Sequence, residues 1–138
     1  LSIMATKEQR LTYQPFKKAS TGRLKLLRIE NSVAEAMPDT ICQNRKGTTF
    51  WLENKYLDDW PVRAATLPLR TSFEKGQLGF GRDWNSWKGH SYILLRVKND
   101  FILLNPFHAL DKMTKDELLS IATLVIGKDQ IVKYLEQL

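Results

Sequence analysis

Residues 38–56 read PDTICQNRKGTTFWLENKY. Two runs rich in β-branched and aromatic side chains flank a short turn segment, Arg45-Lys46-Gly47, and this pattern predicts an antiparallel hairpin. Because side chains alternate faces along a strand, Glu53 and Lys55 are expected on the same side. Pairing across the turn can bring Asp39 beside Glu53. The segment therefore gathers two carboxylates and one ammonium group at one end of a sheet.

These three side chains suit the hydrolysis of a phosphodiester. Paired carboxylates at an open site suit Mg²⁺, which lowers the pKa of a bound water and screens phosphate charge. Lys55 would hold or deprotonate the attacking water and stabilise the developing charge. The competing interpretation is an exposed hairpin in which Glu53 and Lys55 only face solvent. The apolar run Phe50-Trp51-Leu52 favours a strand buried on both faces, where unpaired charges are costly.

The order Pro38-Asp39, thirteen further residues and then Glu53-Asn54-Lys55 resembles the signature of the PD-(D/E)xK nuclease superfamily. That superfamily includes restriction endonucleases, Holliday-junction resolvases and the VRR-Nuc group. The stretch Arg28-Ile29-Glu30-Asn31, together with residues 50–55, is similar to small VRR-Nuc-like proteins of phages. The resemblance covers residues 22–104 and implies a Mg²⁺-dependent nuclease, in which Mn²⁺ would substitute.

The resemblance also implies roles for further residues. An acidic residue precedes the Pro-Asp of the family, and Glu30 is the match, with Glu35 as the alternative if residues 23–36 form a helix. A Gln on the helix after the Glu-x-Lys strand often joins the site, and Gln77 is the match. The implied catalytic residues are Asp39, Glu53, Lys55, Glu30 and Gln77. The implied metal ligands are Asp39, Glu53, Glu30 and the backbone carbonyl of Asn54.

Two positions depart from the family's pattern. Ala36 stands two residues before the proline, where the family usually has glycine. Asn54 stands between the Glu and the Lys, where the family usually has an apolar residue that faces the core. A buried Asn needs hydrogen-bond partners, so we expect polar neighbours around its side chain.

The remaining patterns predict a mixed α/β fold. The elements before the C-terminal part are a short helix over 7–18, a strand over 22–30 (whose spacing also approximates a helix), the hairpin, a helix over 73–87 and strands at 91–97 and 101–104. A capping box, Thr114-Lys115-Asp116-Glu117, starts a helix that Gly127 ends, and a second helix follows to Leu138. Trp84 and Trp87 lie three residues apart on one helix, where core packing is favoured over stacking on exposed bases.

The expected architecture is a restriction-endonuclease-like core of about four strands flanked by helices, with a C-terminal helical pair. We assign residues 1–110 to the nuclease-like core. Residues 111–138 form a helical extension that packs on or extends the same domain.

The chain is basic, with a formal net charge of +6. Residues 1–30 hold seven basic and two acidic residues, so the surplus is densest at the N-terminal end. A basic surface suits a polyanion, because each neutralised phosphate releases counterions. The side chains predicted to contact DNA are Lys17, Lys18, Arg23, Lys25, Arg45 and Lys46.

The composition narrows the class of protein. Its 138 residues suffice for one core, and the single cysteine, Cys42, excludes an intramolecular disulfide framework and a Cys-rich zinc site. No apolar run is long enough to span a membrane, and the first residues lack the pattern of a secretory signal. We expect a cytoplasmic protein without a membrane partner, acting in the host cytoplasm if it is phage-encoded.

The leading hypothesis is a Mg²⁺-dependent DNA endonuclease. Structure-specific cleavage of branched DNA, as in Holliday-junction resolution, suits a chain without a separate sequence-reading domain. Cutting two strands suggests a homodimer, with the C-terminal helical pair as its contact. The alternatives are a non-catalytic nucleic-acid-binding module on a nuclease-like fold and a small regulatory protein. The spacing does not choose among a four-way junction, a flap, a nick-directed duplex and single-stranded DNA.

Overall fold

The computed structural model describes residues 6–29 and 36–138. Within these residues the strands form one six-stranded sheet in chain order. The strands are β1 (Leu24–Arg28), β2 (Thr40–Asn44), β3 (Thr49–Leu57), β4 (Ser91–Val97), β5 (Asp100–Leu104) and β6 (Leu124–Ile126). Neighbours are antiparallel except β3 and β4, which are parallel. The mixed α/β fold is confirmed, but the expectation of about four strands was wrong.

Four α-helices lie in the described part of the chain. They are α1 (Gln14–Ala19), α2 (Gln77–Ser86), α3 (Lys115–Ile121) and α4 (Lys128–Glu136). A π-helical segment, Glu8–Tyr13, runs directly into α1, and Leu110–Lys112 forms a short 3₁₀ turn. None of the helices of residues 6–29 and 36–138 is long and apolar enough to cross a membrane.

The C-terminal part is a helix, a strand and a helix rather than a helical pair. The predicted capping box is present, with Thr114 accepting from the backbone N–H of Glu117. The helix ends at Ile121, however, and Leu124–Ile126 pairs with β5 as the edge strand β6. The predicted end at Gly127 was wrong because pairing with β5 overrides the helical pattern of these apolar residues. Gly127 is instead the residue that precedes α4.

Both faces of the sheet are covered over most of its width. One face packs against the N-terminal helical segment and α4, whose Phe16, Ile131, Val132 and Leu135 are fully buried. The other face packs against α3 and the long connection after β3, through Leu118 and Leu69. The apolar face of α4 is therefore used inside the domain. The predicted dimer contact cannot use this face of α4, because it is buried against the sheet.

Strands β3 and β4 lie at the centre of the sheet and position the site. Two parallel neighbours need a crossover connection, and residues 58–90 provide it with α2. Gly81 lets α2 pack closely against the segment that follows β5, since a Cβ there would collide with the ring of Pro106. The hairpin of β2 and β3 forms as predicted, with Ile41 paired to Trp51.

Candidate active site

The hairpin brings Asp39, Glu53 and Lys55 together. Thr40 pairs with Leu52, so Asp39, which immediately precedes β2, lies opposite Glu53 on β3. The backbone N–H of Asp39 donates to Glu53 Oε1 at 3.1 Å. Lys55 Nζ lies 3.3 Å from Glu53 Oε2. The juxtaposition expected from the alternation of side chains along the strand is therefore present in the structure.

Polar neighbours hold the carboxylate of Asp39. Its Oδ1 accepts from Thr40 Oγ1 at 2.8 Å and from Asn54 Nδ2 at 2.7 Å, and its Oδ2 accepts one longer bond of 3.4 Å from the Asn54 backbone N–H. Burial raises the pKa of Asp39, and these hydrogen bonds oppose that effect. Because Oδ1 already has two short bonds, Oδ2 is the oxygen with more capacity for a further partner.

The Glu53 carboxyl group has a strongly perturbed pKa. Its residue is only 6% exposed. Burial first, and then the charge of Asp39, raise the pKa of Glu53 to about 8, although Lys55 acts in the opposite direction. Two acids in one place with little solvent disfavour double ionisation. Glu53 therefore holds its proton more tightly than an exposed carboxyl group does, even with the Lys55 ammonium beside it.

The ammonium group of Lys55 is oriented from several sides. Besides Glu53, it donates to Gln77 Oε1 at 3.2 Å and lies 5.1 Å from the centre of the Phe73 ring. Gln77 Oε1 is itself held by the backbone N–H of Glu74 at 3.0 Å. The structure thus places Gln77, on the first turn of α2, against the lysine. With two of three donors engaged, Lys55 can direct the third at a substrate oxygen.

Glu8 is a neighbour that sequence reasoning missed. It belongs to the π-helical segment, which is fixed to β3 by a 2.9 Å hydrogen bond from Thr12 Oγ1 to the backbone carbonyl of Lys55. Burial raises the pKa of Glu8, the charge of Lys55 lowers it, and the charge of Asp39 raises it. Glu8 therefore lies within electrostatic reach of both residues. The four-residue spacing of Glu8 and Thr12, which puts both on one helix face, was the available signal.

Arg28, at the end of β1, also acts on the site. Its charge lowers the pKa of Asp39 and of Glu8. Its guanidinium lies 5.8 Å from the ring centre of Tyr13, and its buried Nε has no hydrogen-bond partner among the described residues. The predicted acidic residue Glu30 and its alternative Glu35 lie outside the described residues.

The donor atoms at this site fit Mg²⁺. Asp39 and Glu53 offer carboxylate oxygens, and Asn54 offers a backbone carbonyl between Glu53 and Lys55 in the chain. Glu53 is buried and Asp39 half-buried, and both have a raised pKa, so a divalent cation would relieve a repulsion present in the protein alone. No group of three or more His, Cys, Asp or Glu side chains in residues 6–29 and 36–138 is arranged to hold a metal. Mg²⁺ commonly takes one or two carboxylates and fills its other positions with water and phosphate oxygens.

The six basic residues predicted to contact DNA do not form one cluster. Lys17 and Lys18 are exposed on α1, whereas Arg23, Lys25 and Arg45 line a cavity of about 500 Å³ near the hairpin turn. Three of the six make hydrogen bonds or ion pairs inside the protein: Arg23 pairs with Asp129 and Glu136, Arg45 donates to the Gly22 carbonyl, and Lys46 donates to the Gln137 carbonyl. The ammonium of Lys17 lies 5.8 Å from the centre of the Tyr13 ring.

Comparison with known proteins gives a structural relative. Neither a protein-family model nor a curated protein matches the sequence. Among solved structures, the chain is similar to Hjc of Archaeoglobus fulgidus, a Holliday junction resolvase from an archaeal hyperthermophile, with a TM-score of 0.60. The similarity covers 90% of this chain and 98% of that chain at 9% sequence identity, so it concerns the fold. The chain therefore shares the fold of this resolvase, in agreement with the fold that its sequence signature predicts.

Proposed function

We propose that the protein is a Mg²⁺-dependent DNA endonuclease that hydrolyses phosphodiester bonds. The observation that carries the proposal is the meeting of Asp39, Glu53 and Lys55 at one point of the central hairpin. A buried acid with a pKa near 8 beside a second acid is costly to the folded protein. Perturbed acids of this kind are more common at functional sites than in surface hairpins.

The carboxylates of Asp39 and Glu53 and the carbonyl of Asn54 would hold the metal, with Glu8 as a further acid within electrostatic reach. When bound, Mg²⁺ would lower the pKa of a water molecule and screen the charge of the scissile phosphate. Asn54 and Thr40 fix the orientation of Asp39, so little rearrangement is needed on binding. Pre-orientation of this kind reduces the entropy lost when reactants are brought together.

Lys55 would orient the attacking water and stabilise the negative charge that develops on the phosphate. Its low exposure of 5% places the ammonium where electrostatic interactions are stronger than in water. Glu53 and Gln77 hold it from two sides, at 3.3 and 3.2 Å. We assign Gln77 a positioning role, since it contacts Lys55.

We further propose that the substrate is branched DNA and that the active form is a homodimer. A single site of this kind cuts one strand at a time, and two symmetric copies of the chain would provide two sites. The net charge of +6 and the exposed Lys17 and Lys18 support binding through phosphates. Mn²⁺ is expected to replace Mg²⁺, because it also prefers oxygen ligands.

The test is cleavage of labelled four-way junction, flap, duplex and single-stranded DNA by the purified protein. Each substrate is incubated with Mg²⁺, with Mn²⁺ and with a chelator. We expect metal-dependent cleavage by the wild type and loss of cleavage in Glu53→Gln with DNA binding retained. Asp59→Asn is the matched control, because it removes an exposed carboxylate that pairs with Lys98.

The outcomes separate the hypotheses. Full cleavage by Glu53→Gln would remove this residue from the mechanism and contradict the proposal. Tight, salt-dependent DNA binding without metal-dependent cleavage by the wild type would favour the non-catalytic binding module instead.

A further inference from the structure

Two tryptophans at the end of α2 are exposed, against the expectation of core packing. Trp84 is 41% exposed and Trp87 is 81% exposed. A large apolar side chain held in water is unfavourable, and adjacent exposed aromatic residues commonly mark an interaction surface.

The protein holds the Trp84 indole in a fixed position and the Trp87 backbone at the end of the helix. Trp84 stacks on Phe80 with 5.6 Å between ring centres and 9° between ring planes, and both rings meet the buried Trp51 edge-on. The backbone N–H groups of Trp87 and Gly89 both donate to the Trp84 carbonyl, which closes the end of the helix. Both rings are thus presented by a helix end that is anchored to β3 through Trp84, and the ordered Trp84 ring loses little entropy on binding.

The two indoles line a groove of about 550 Å³ whose other side chains are polar. They include the hydroxyls of Thr48 and Thr49, the His90 imidazole and the Lys88 ammonium, with Asp83 as the only acid among the lining residues. Aromatic faces beside hydroxyl and nitrogen donors suit a nucleobase, which has both a stacking face and a hydrogen-bonding edge.

The charge around the groove favours a nucleic-acid strand over a second copy of the chain. The exposed Arg45 and Lys46 precede Thr48 in the hairpin turn, and Lys88 lies in the groove itself. Among the lining residues Lys88 balances Asp83, and the two exposed cations of the adjacent turn add positive charge beside the groove. A two-fold contact between copies would bring this net positive surface against itself, whereas phosphates would neutralise it.

The groove lies within reach of the candidate active site along the same helix. Gln77 at the start of α2 contacts Lys55, and Trp87 follows ten residues later, about 15 Å along the axis. One DNA strand in a duplex covers that distance in about four nucleotides. A strand placed at Asp39 and Glu53 can therefore reach the indoles.

We propose that Trp84 and Trp87 stack on unpaired bases of the DNA strand that is held at Asp39 and Glu53. The inference rests on the proposed function and narrows its substrate to DNA with an unpaired segment near the branch. Stacking on indoles needs bases that are free of the duplex, and it is tolerant of sequence because every base has an aromatic face.

The test measures binding in a chelator, so that no cleavage occurs. A fluorescent single-stranded oligonucleotide and a blunt duplex of the same sequence are titrated at fixed salt with wild type, Trp87→Ala, Trp87→Phe and Phe107→Ala. Phe107 is the matched control, since its ring is 65% exposed but does not line the groove. We expect Trp87→Ala to weaken single-strand binding at least about fivefold. Duplex binding should stay unchanged, Trp87→Phe should retain most of the affinity, and Phe107→Ala should behave as the wild type.

Three results would overturn the inference. The first is an unchanged affinity of Trp87→Ala for the single strand, and the second is an equal loss of affinity for both DNA forms. The third is a wild type that is a dimer in light scattering and a Trp87→Ala variant that is a monomer, which would make the groove a contact between copies. Because binding is measured without metal, failure of the nuclease proposal is seen separately. If the wild type cuts no DNA but binds single strands more tightly than Trp87→Ala does, only the nuclease activity is refuted. If the wild type cuts DNA with metal and Trp87→Ala binds single strands equally well, only the stacking is refuted.

Discussion

Replacing Glu53 by Gln should remove a pH-dependent loss of stability from the metal-free protein. Burial and the charge of Asp39 raise the pKa of Glu53 from its ordinary 4.5 to about 8. The folded state then binds this proton more tightly than the unfolded state, so the free energy of unfolding falls as the pH rises from about 4.5 to about 8. Below this window both states are protonated, and above it the full penalty is present.

The size of the effect follows from the two pKa values. Their difference corresponds to at most about 5 kcal/mol of unfolding free energy above pH 8. The Gln variant still accepts the Asp39 N–H, but it leaves Lys55 without the carboxylate that lies 3.3 Å away. We therefore expect a net gain of about 2–4 kcal/mol at high pH. For a chain of this length that gain raises Tm by about 6–12 °C.

The assay is thermal unfolding followed by circular dichroism, in a chelator, between about pH 5 and about pH 9. The Tm of the wild type should fall as the pH rises across this range, and the Tm of Glu53→Gln should fall much less. Glu117→Gln is the control. Hydrogen bonds from Thr114 lower the pKa of this exposed carboxylate, so its contribution to stability is lost only in acid and does not change across the range of the assay. A wild-type profile that is flat, or parallel to that of Glu53→Gln, would refute the assigned environment of Glu53.

Three further substitutions test the neighbours of the site. Glu8→Gln should weaken the apparent affinity for Mg²⁺ about 10- to 100-fold, measured by titrating the cleavage rate with metal. An unchanged titration would exclude Glu8 from the site. Asn54→Val should cost about 1.5–3 kcal/mol of unfolding free energy in urea, because it removes a hydrogen bond to the carboxylate of Asp39, and an unchanged midpoint would contradict this. Gln77→Ala should slow single-turnover cleavage about 10- to 100-fold with unchanged DNA affinity, because Lys55 loses a fixed partner; a loss of affinity instead would assign Gln77 to DNA binding.

The central hairpin could be predicted because its signals are local. A Gly-containing turn lies between two β-rich runs, and the alternation of side chains then places Glu53 and Lys55 on one face. Only the pairing register was needed to add Asp39, and the short turn limits that register. The same argument anticipated polar neighbours for Asn54, which the structure provides in Asp39 and Thr40.

Features that depend on distant contacts could not be predicted in the same way. Residues 124–126 contain only apolar side chains, which fit a helix or a strand equally well, and the open edge of β5 decides between them. Glu8 lies 45 positions before Glu53, and only the packing of the N-terminal helical segment on β3 brings it near. Trp84 and Trp87 were assigned to the core because spacing reveals a shared helix face but not what covers it.

The departure at Asn54 is explained by its neighbour on β2. Thr40 is fully buried, and its hydroxyl accepts from Asn54 Nδ2 at 3.1 Å while donating to Asp39 Oδ1. An apolar residue at either position would leave a buried polar group of the other with fewer partners, which is costly. The two polar residues therefore act as a unit, and their common partner is the carboxylate of Asp39. In the family signature the residue at the position of Asn54 packs into the core, whereas Asn54 here orients Asp39. The stability of the hairpin is therefore coupled to the geometry on which hydrolysis would depend.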